Sequence, residues 1–203
     1  KWSQTNYVRV AVSNVPNWSS FRVTWSPDGQ GFILSRWDSP RCILYRLEGQ
    51  NYDCQLRRKD FPPVSIQATA FSPDGKLIAA VVADHSSEIA MFDAYTGEFL
   101  AQRTIRLAKP LSAKVNQILF GPGLNELTFA ADSSAEIVNL ETGRISRAVR
   151  TGTDDRITRM AMSSPTSNRD RRIALIAGGR IHAYSVADLD QRIGEPIKLK
   201  GPI

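Results

Sequence analysis

The chain has 203 residues, a formal charge of +6 and a pI near 9.6. With 42% hydrophobic and 23% charged residues it has the composition of a globular protein with a sizeable core, and no apolar run approaches the roughly 18 residues of a membrane-crossing helix. The basic balance favours an acidic partner, although positive residues are scattered apart from "LRRK" (56–59) and "RDRR" (169–172).

No secretory signal is recognisable at the start, which is Lys1 rather than Met. A longer polypeptide is therefore expected. The compartment is left open, with the cytoplasm as the default. "YVRVAV" (7–12) alternates like a strand and reads as the outer strand of a preceding unit, followed by a loop to residue 20.

Four similar units follow. In the first (21–60), the strand "FRVTW" leads to a turn "SPDG" at Ser26. Then come "GFILSR", a turn at Asp38, "CILYRL" ending near Tyr45, and "YDCQLRR". The second (61–108) reads "IQATAF", "SPDG" from Ser72, "LIAAVVA", Asp84, "EIAMFD" with Phe92, and "EFLAQRTI". The third (109–152) reads "NQILF", "GPGL" from Gly121, "ELTFAA", Asp132, "EIVNLE" near Leu140, and "RISRAVR". The fourth (153–203) reads "ITRMAM", "SSPT" from Ser163, "RIALIA", Gly178-Gly179, "RIHAYS" with Tyr184, a long connection "ADLDQRI", and "EPIKLK". The turn anchors lie 46, 49 and 42 residues apart. That period, with four strands inside it, is the pattern of a propeller blade.

The turn chemistry supports the strand boundaries. In "SPDG" proline presets one φ, aspartate bonds to nearby backbone and glycine takes a positive φ. "TG" at Thr96-Gly97 and Thr142-Gly143 serves the turn between third and fourth strands. Several strands are apolar on both faces, as a sheet sandwiched between two others requires. The expected fold is all-β: one continuous array of about four blades of four antiparallel strands. Four blades of this width form an arc more naturally than a closed ring. The array is thus expected to be part of a seven- or eight-bladed propeller, completed before Lys1, after Ile203 or by another subunit.

The order strand, "SPDG", strand, Asp, strand, aromatic-Asp, "TG" resembles WD40-repeat β-propellers. The second unit is the best match, with Phe92-Asp93 in place of the Trp-Asp pair, and "GEPIKLKGPI" resembles the approach to a further repeat. The resemblance covers residues 21 to 201. No unit carries a Gly-His pair or the Trp-Asp itself, so the repeats are degenerate. "SPDGK" also occurs in TolB-like propellers and in the propeller domains of prolyl-oligopeptidase-like peptidases.

Chemistry is scarce in the sequence. His85 shares a tight turn with Asp84 and Ser86, where consecutive residues cannot converge as nucleophile, base and orienter. His182 reads as a packed strand residue. No nucleophile elbow, phosphate-binding loop, metalloprotease or calcium motif is present. Cys42 and Cys54 form no CxxC pair, so zinc is not expected. Their spacing suits thiols on neighbouring strands of one hairpin, with a disulfide as the alternative. Neither an enzyme nor a bound cofactor or metal is expected.

Binding is expected on the face that gathers the second-to-third strand turns and the connections between units. Trp18, Trp37, Arg41, Phe61, Lys109 and Arg156 are placed there, as types favoured at interfaces or as plugs between sheets. The expected function is a non-catalytic scaffold for a protein or peptide partner. A nucleic-acid-binding propeller, and the propeller of a larger hydrolase or sensor, are the alternatives. The basic clusters lack the interleaved aromatics of single-strand binders. No membrane association is expected.

Overall fold

The computed structural model describes residues 21–36, 42–46, 54–55, 66–82, 88–108, 114–121, 125–151, 155–163, 171–186 and 192–199. They form sixteen strands in four antiparallel four-stranded sheets, arranged as a four-bladed β-propeller. Blade 1 holds β1 (Phe21–Trp25), β2 (Gly31–Arg36), β3 (Cys42–Arg46) and β4 (Cys54–Gln55). Blade 2 holds β5 (Ile66–Phe71), β6 (Leu77–Val82), β7 (Glu88–Asp93) and β8 (Ile105–Arg106). Blade 3 holds β9 (Val115–Phe120), β10 (Glu126–Ala131), β11 (Ser134–Asn139) and β12 (Ile145–Arg150). Blade 4 holds β13 (Ile157–Met162), β14 (Arg172–Ala177), β15 (Arg180–Ser185) and β16 (Ile197–Lys198). Each sheet keeps its strands in chain order, so every blade is a simple meander.

The "SPDG" turns do what their residues dictate. The Ser26 hydroxyl donates to Asp28 Oδ1 (2.5 Å) and accepts from the Gly31 N–H (2.9 Å). Ser72 repeats this with Asp74 (2.6 Å) and the Leu77 N–H (2.9 Å). Gly29 and Gly75 both take φ +70. The next turn uses a second device. The Asp93 carboxylate accepts from the N–H groups of Tyr95 and Thr96, each at 2.8 Å. In blade 3, Asn139 fills the same place, accepting from Glu141 (3.0 Å) and Thr142 (2.9 Å). Asn139 gives an Asx turn without a charge, so the "aromatic-Asp" position needs the side-chain oxygen rather than the carboxylate.

Alternation sends opposite faces of each blade to its two neighbours. Ile33, Cys42 and Leu44 of blade 1 pack on Ile66, Ile78, Ala80, Ala90 and Phe92 of blade 2. Val81, Ile89 and Met91 pack on Val115, Ile118, Leu127 and Phe129 of blade 3. Ala130, Ala135 and Ile137 pack on Met160, Ile173, Leu175 and Tyr184 of blade 4. Among the described residues no apolar cluster joins blade 4 to blade 1. The face of blade 1 turned from blade 2 carries an aromatic row, with Phe32 stacked on Tyr45 (4.9 Å) and tilted against Trp25 (5.2 Å).

One expectation is corrected in detail. "EFLAQRTI" is not one strand: Phe99 bridges Phe92, a 3-10 turn follows over Ala101–Arg103, and pairing resumes only at Ile105. Its polar centre, "AQRT", presents little that a sheet edge could bury. Arg171 is 7% exposed and pairs with Glu126 of blade 3 at 2.6 Å, locking two blades together. Cys42 is a free thiol buried in the sheet, and burial pushes its pKa up. The expected hairpin is present, with Leu44 opposite Cys54.

Candidate functional site

The innermost strand of each blade is its first, and β1, β5, β9 and β13 converge around the axis. They are stitched by side chains. Thr24 and Thr69 hydroxyls meet at 3.3 Å between blades 1 and 2. Gln67 Oε1 accepts from the Val115 N–H (2.8 Å) between blades 2 and 3. Gln117 spans blades 3 and 4 twice, accepting from the Met160 N–H (2.7 Å) and donating to the Met160 carbonyl (2.9 Å). Asn116 donates to the Ile157 carbonyl (3.0 Å). The Gln67, Gln117 and Asn116 bonds satisfy backbone that an inner edge strand would otherwise leave unpaired.

The strands enclose an open cavity of about 210 Å³ lined by Arg22, Thr24, Ala68, Thr69, Gln117 and Arg159, among others. Arg22 Nη1 donates to the carbonyls of Gln67 (3.2 Å) and Asn116, which fixes the guanidinium across blades 1, 2 and 3. Arg156 Nη2 donates to Asn116 Oδ1, and Arg159 Nη1 to the Thr158 carbonyl (2.9 Å). Burial first, then the charges of Arg159 and Arg156, lower the pKa of Arg22 from its ordinary value. A guanidinium stays protonated at neutral pH regardless. Three like charges thus share one mouth, and among the described residues no carboxylate pairs with any of them.

Of the residues expected to bind, Arg156 is described. It stands exposed on the connection into blade 4, beside the axis. Trp18, Trp37, Arg41, Phe61 and Lys109 lie outside the described residues. Sequence reasoning missed Arg22 and Arg159, because each sits inside a strand and reads there as a solvated side chain. A signal existed. Aligned on the turn anchors, Arg22, Ala68, Gln117 and Arg159 all stand four residues before the anchor of their unit.

Among the described residues no three His, Cys, Asp or Glu side chains come together as a metal site, and His182 is buried against blade 3, opposite Leu175. No described helix is long and apolar enough to cross a membrane. The chain matches no protein-family model, and no curated protein matches it.

Proposed function

We propose that the chain is part of a degenerate WD40-like propeller and acts as a non-catalytic scaffold that docks a protein or peptide partner at the axial mouth. The observation that carries this is the convergence of Arg22 and Arg159, from blades 1 and 4, on one open cavity, with Arg156 held beside it on Asn116 and no described carboxylate to balance them. Arginine is over-represented among interface hot spots, and its planar fork suits carboxylate recognition. The repeat order and the Asx-type turns at Asp93 and Asn139 support the WD40-like assignment. A partner offering acidic side chains fits the mouth. The rest of the ring, from the same polypeptide or another subunit, is a second partner.

The test is binding of fluorescent Asp/Glu-rich peptides to the chain and to an Arg156→Glu/Arg159→Glu variant. Saturable binding at physiological salt, lost in the variant, supports the proposal. Equal binding by the two proteins overturns it. So does single-stranded nucleic acid bound with a sequence preference at physiological salt, since incidental charge gives only salt-sensitive, sequence-blind association.

A further inference from the structure

The axial cavity is built more specifically than a generally basic surface. One position of the repeat, four residues before each turn anchor, supplies its ring: Arg22, Ala68, Gln117 and Arg159. Arginine occupies this position in the first and fourth blades. Ala68 takes little space in the second. Gln117, in the third, is committed to the backbone of β13 through both ends of its amide. The space enclosed therefore faces two guanidinium groups, with Arg156 at its rim. In each of the three, among the described residues, one nitrogen alone hydrogen-bonds to the protein. The remaining N–H donors of these forks are available.

We propose that the axial cavity is a phosphate-binding site, in which Arg22 and Arg159 grip the oxyanion from two sides and Arg156 closes the rim. This rests on the docking proposed above and names the group that fills its centre. A carboxylate carries one charge and leaves most of the cluster uncompensated. A phosphate monoester carries about −1.5 to −2 at neutral pH and three acceptor oxygens, which meets several guanidinium forks at once. A cavity of about 210 Å³ leaves room beyond the anion for whatever carries it. The hydroxyls of Thr24 and Thr69 add polar wall.

The experiment is calorimetric titration with inorganic phosphate at constant ionic strength, chloride replacing phosphate in the control. Saturable binding is expected, with a melting temperature that rises with phosphate, because a ligand of the folded state stabilises it by mass action. Arg159→Gln should weaken binding by about tenfold or more, as loss of a charge-assisted hydrogen bond does. Arg159 is exposed, so the variant should melt like the parent without phosphate. Arg156→Gln gives a second measure, and Arg172→Gln, exposed on β14 outside the cavity, should leave affinity unchanged. A phosphoserine peptide that binds more tightly than inorganic phosphate shows that a partner presents the group; equal affinity shows a free ion. Either upholds the site. No saturable phosphate binding, or equal losses in Arg159→Gln and Arg172→Gln, overturns it. Acidic peptide that binds without phosphate competing overturns this inference and leaves the docking proposal standing. Phosphate binding with no peptide binding does the reverse.

Discussion

Gly75 closes the second "SPDG" turn at φ +70, and a Cβ there would meet only the Pro27 ring, at an ordinary contact of 3.9 Å. Its requirement is therefore conformational. Gly75→Val forces a β-branched residue into the left-handed region and should cost more than about 1 kcal/mol, seen as a lower melting temperature. Gly143 is held twice over. It has φ +65, and a Cβ there would lie 2.0 Å from the Arg106 carbonyl oxygen. Gly143→Ala should lower the melting temperature further than Gly75→Ala does, because backbone cannot move aside as a flexible side chain can. A second kind of single-residue effect sits at His182. Burial, then the charges of Arg192 and Arg180, hold its imidazole below the ordinary value. The unfolded chain takes up the proton first. The stability this represents is complete above the unfolded pKa of about 6.5 and is lost as pH falls through the window below it. Urea unfolding at about pH 7.5 and about pH 5.5 should show the loss, and His182→Leu should flatten it. The carboxylate of Asp74, held low chiefly by the Ser72 hydroxyl, adds its own loss at more acid pH.

The first three strands of each blade were legible because their information is local. Alternation and "SPDG" set the hairpin of β1 and β2, and that of β5 and β6, with Trp25 opposite Phe32 and Phe71 opposite Ile78. Fourth strands were less legible. They form the outer edge, bury one side or less, and so carry weak periodicity: β12 is buried only at Val149 and β8 spans two residues. The axial site was the least legible part. Arg22 in "FRVTW" and Arg159 in "ITRMAM" are 137 positions apart, and only curvature of the array brings them together. The amide stitches belong to this scale as well. Gln117 reads as the polar half of an alternating strand, yet it supplies two of the bonds between β9 and β13. Gln117→Leu leaves a Met160 N–H and carbonyl without their partner, at a cost of about 1–3 kcal/mol. The matching Thr24→Val change, which removes a hydroxyl contact of 3.3 Å, should cost less. Chemical denaturation of the two variants side by side checks the order, and a larger loss from Thr24→Val would contradict it.

At the scale of the molecule, three of the spaces between blades are filled and the faces at the two ends of the array remain. Val23 and Trp25 of blade 1 are 53% and 57% exposed. On blade 4, Ile176 and Ile181 pair across the face turned from blade 3, only part buried, with Ile197 beside them at 64% exposure. Inside the array, the equivalent positions are buried against the next sheet, as Ile33 and Leu44 are against blade 2. Apolar surface of this kind favours association by the same burial that holds blades together. The expectation from the repeat was that more blades, or another subunit, cover these ends, and the exposed residues give it a measurable form. Sedimentation of the 203-residue chain should show self-association that rises with concentration. Trp25→Lys should weaken it, since a charge at the centre of such a face opposes its burial. Tyr95→Lys, a change at a 79% exposed residue on a turn of blade 2, should not. A compact monomer at all concentrations, indifferent to Trp25→Lys, would show that the four blades are sufficient to themselves and that their end faces need no partner.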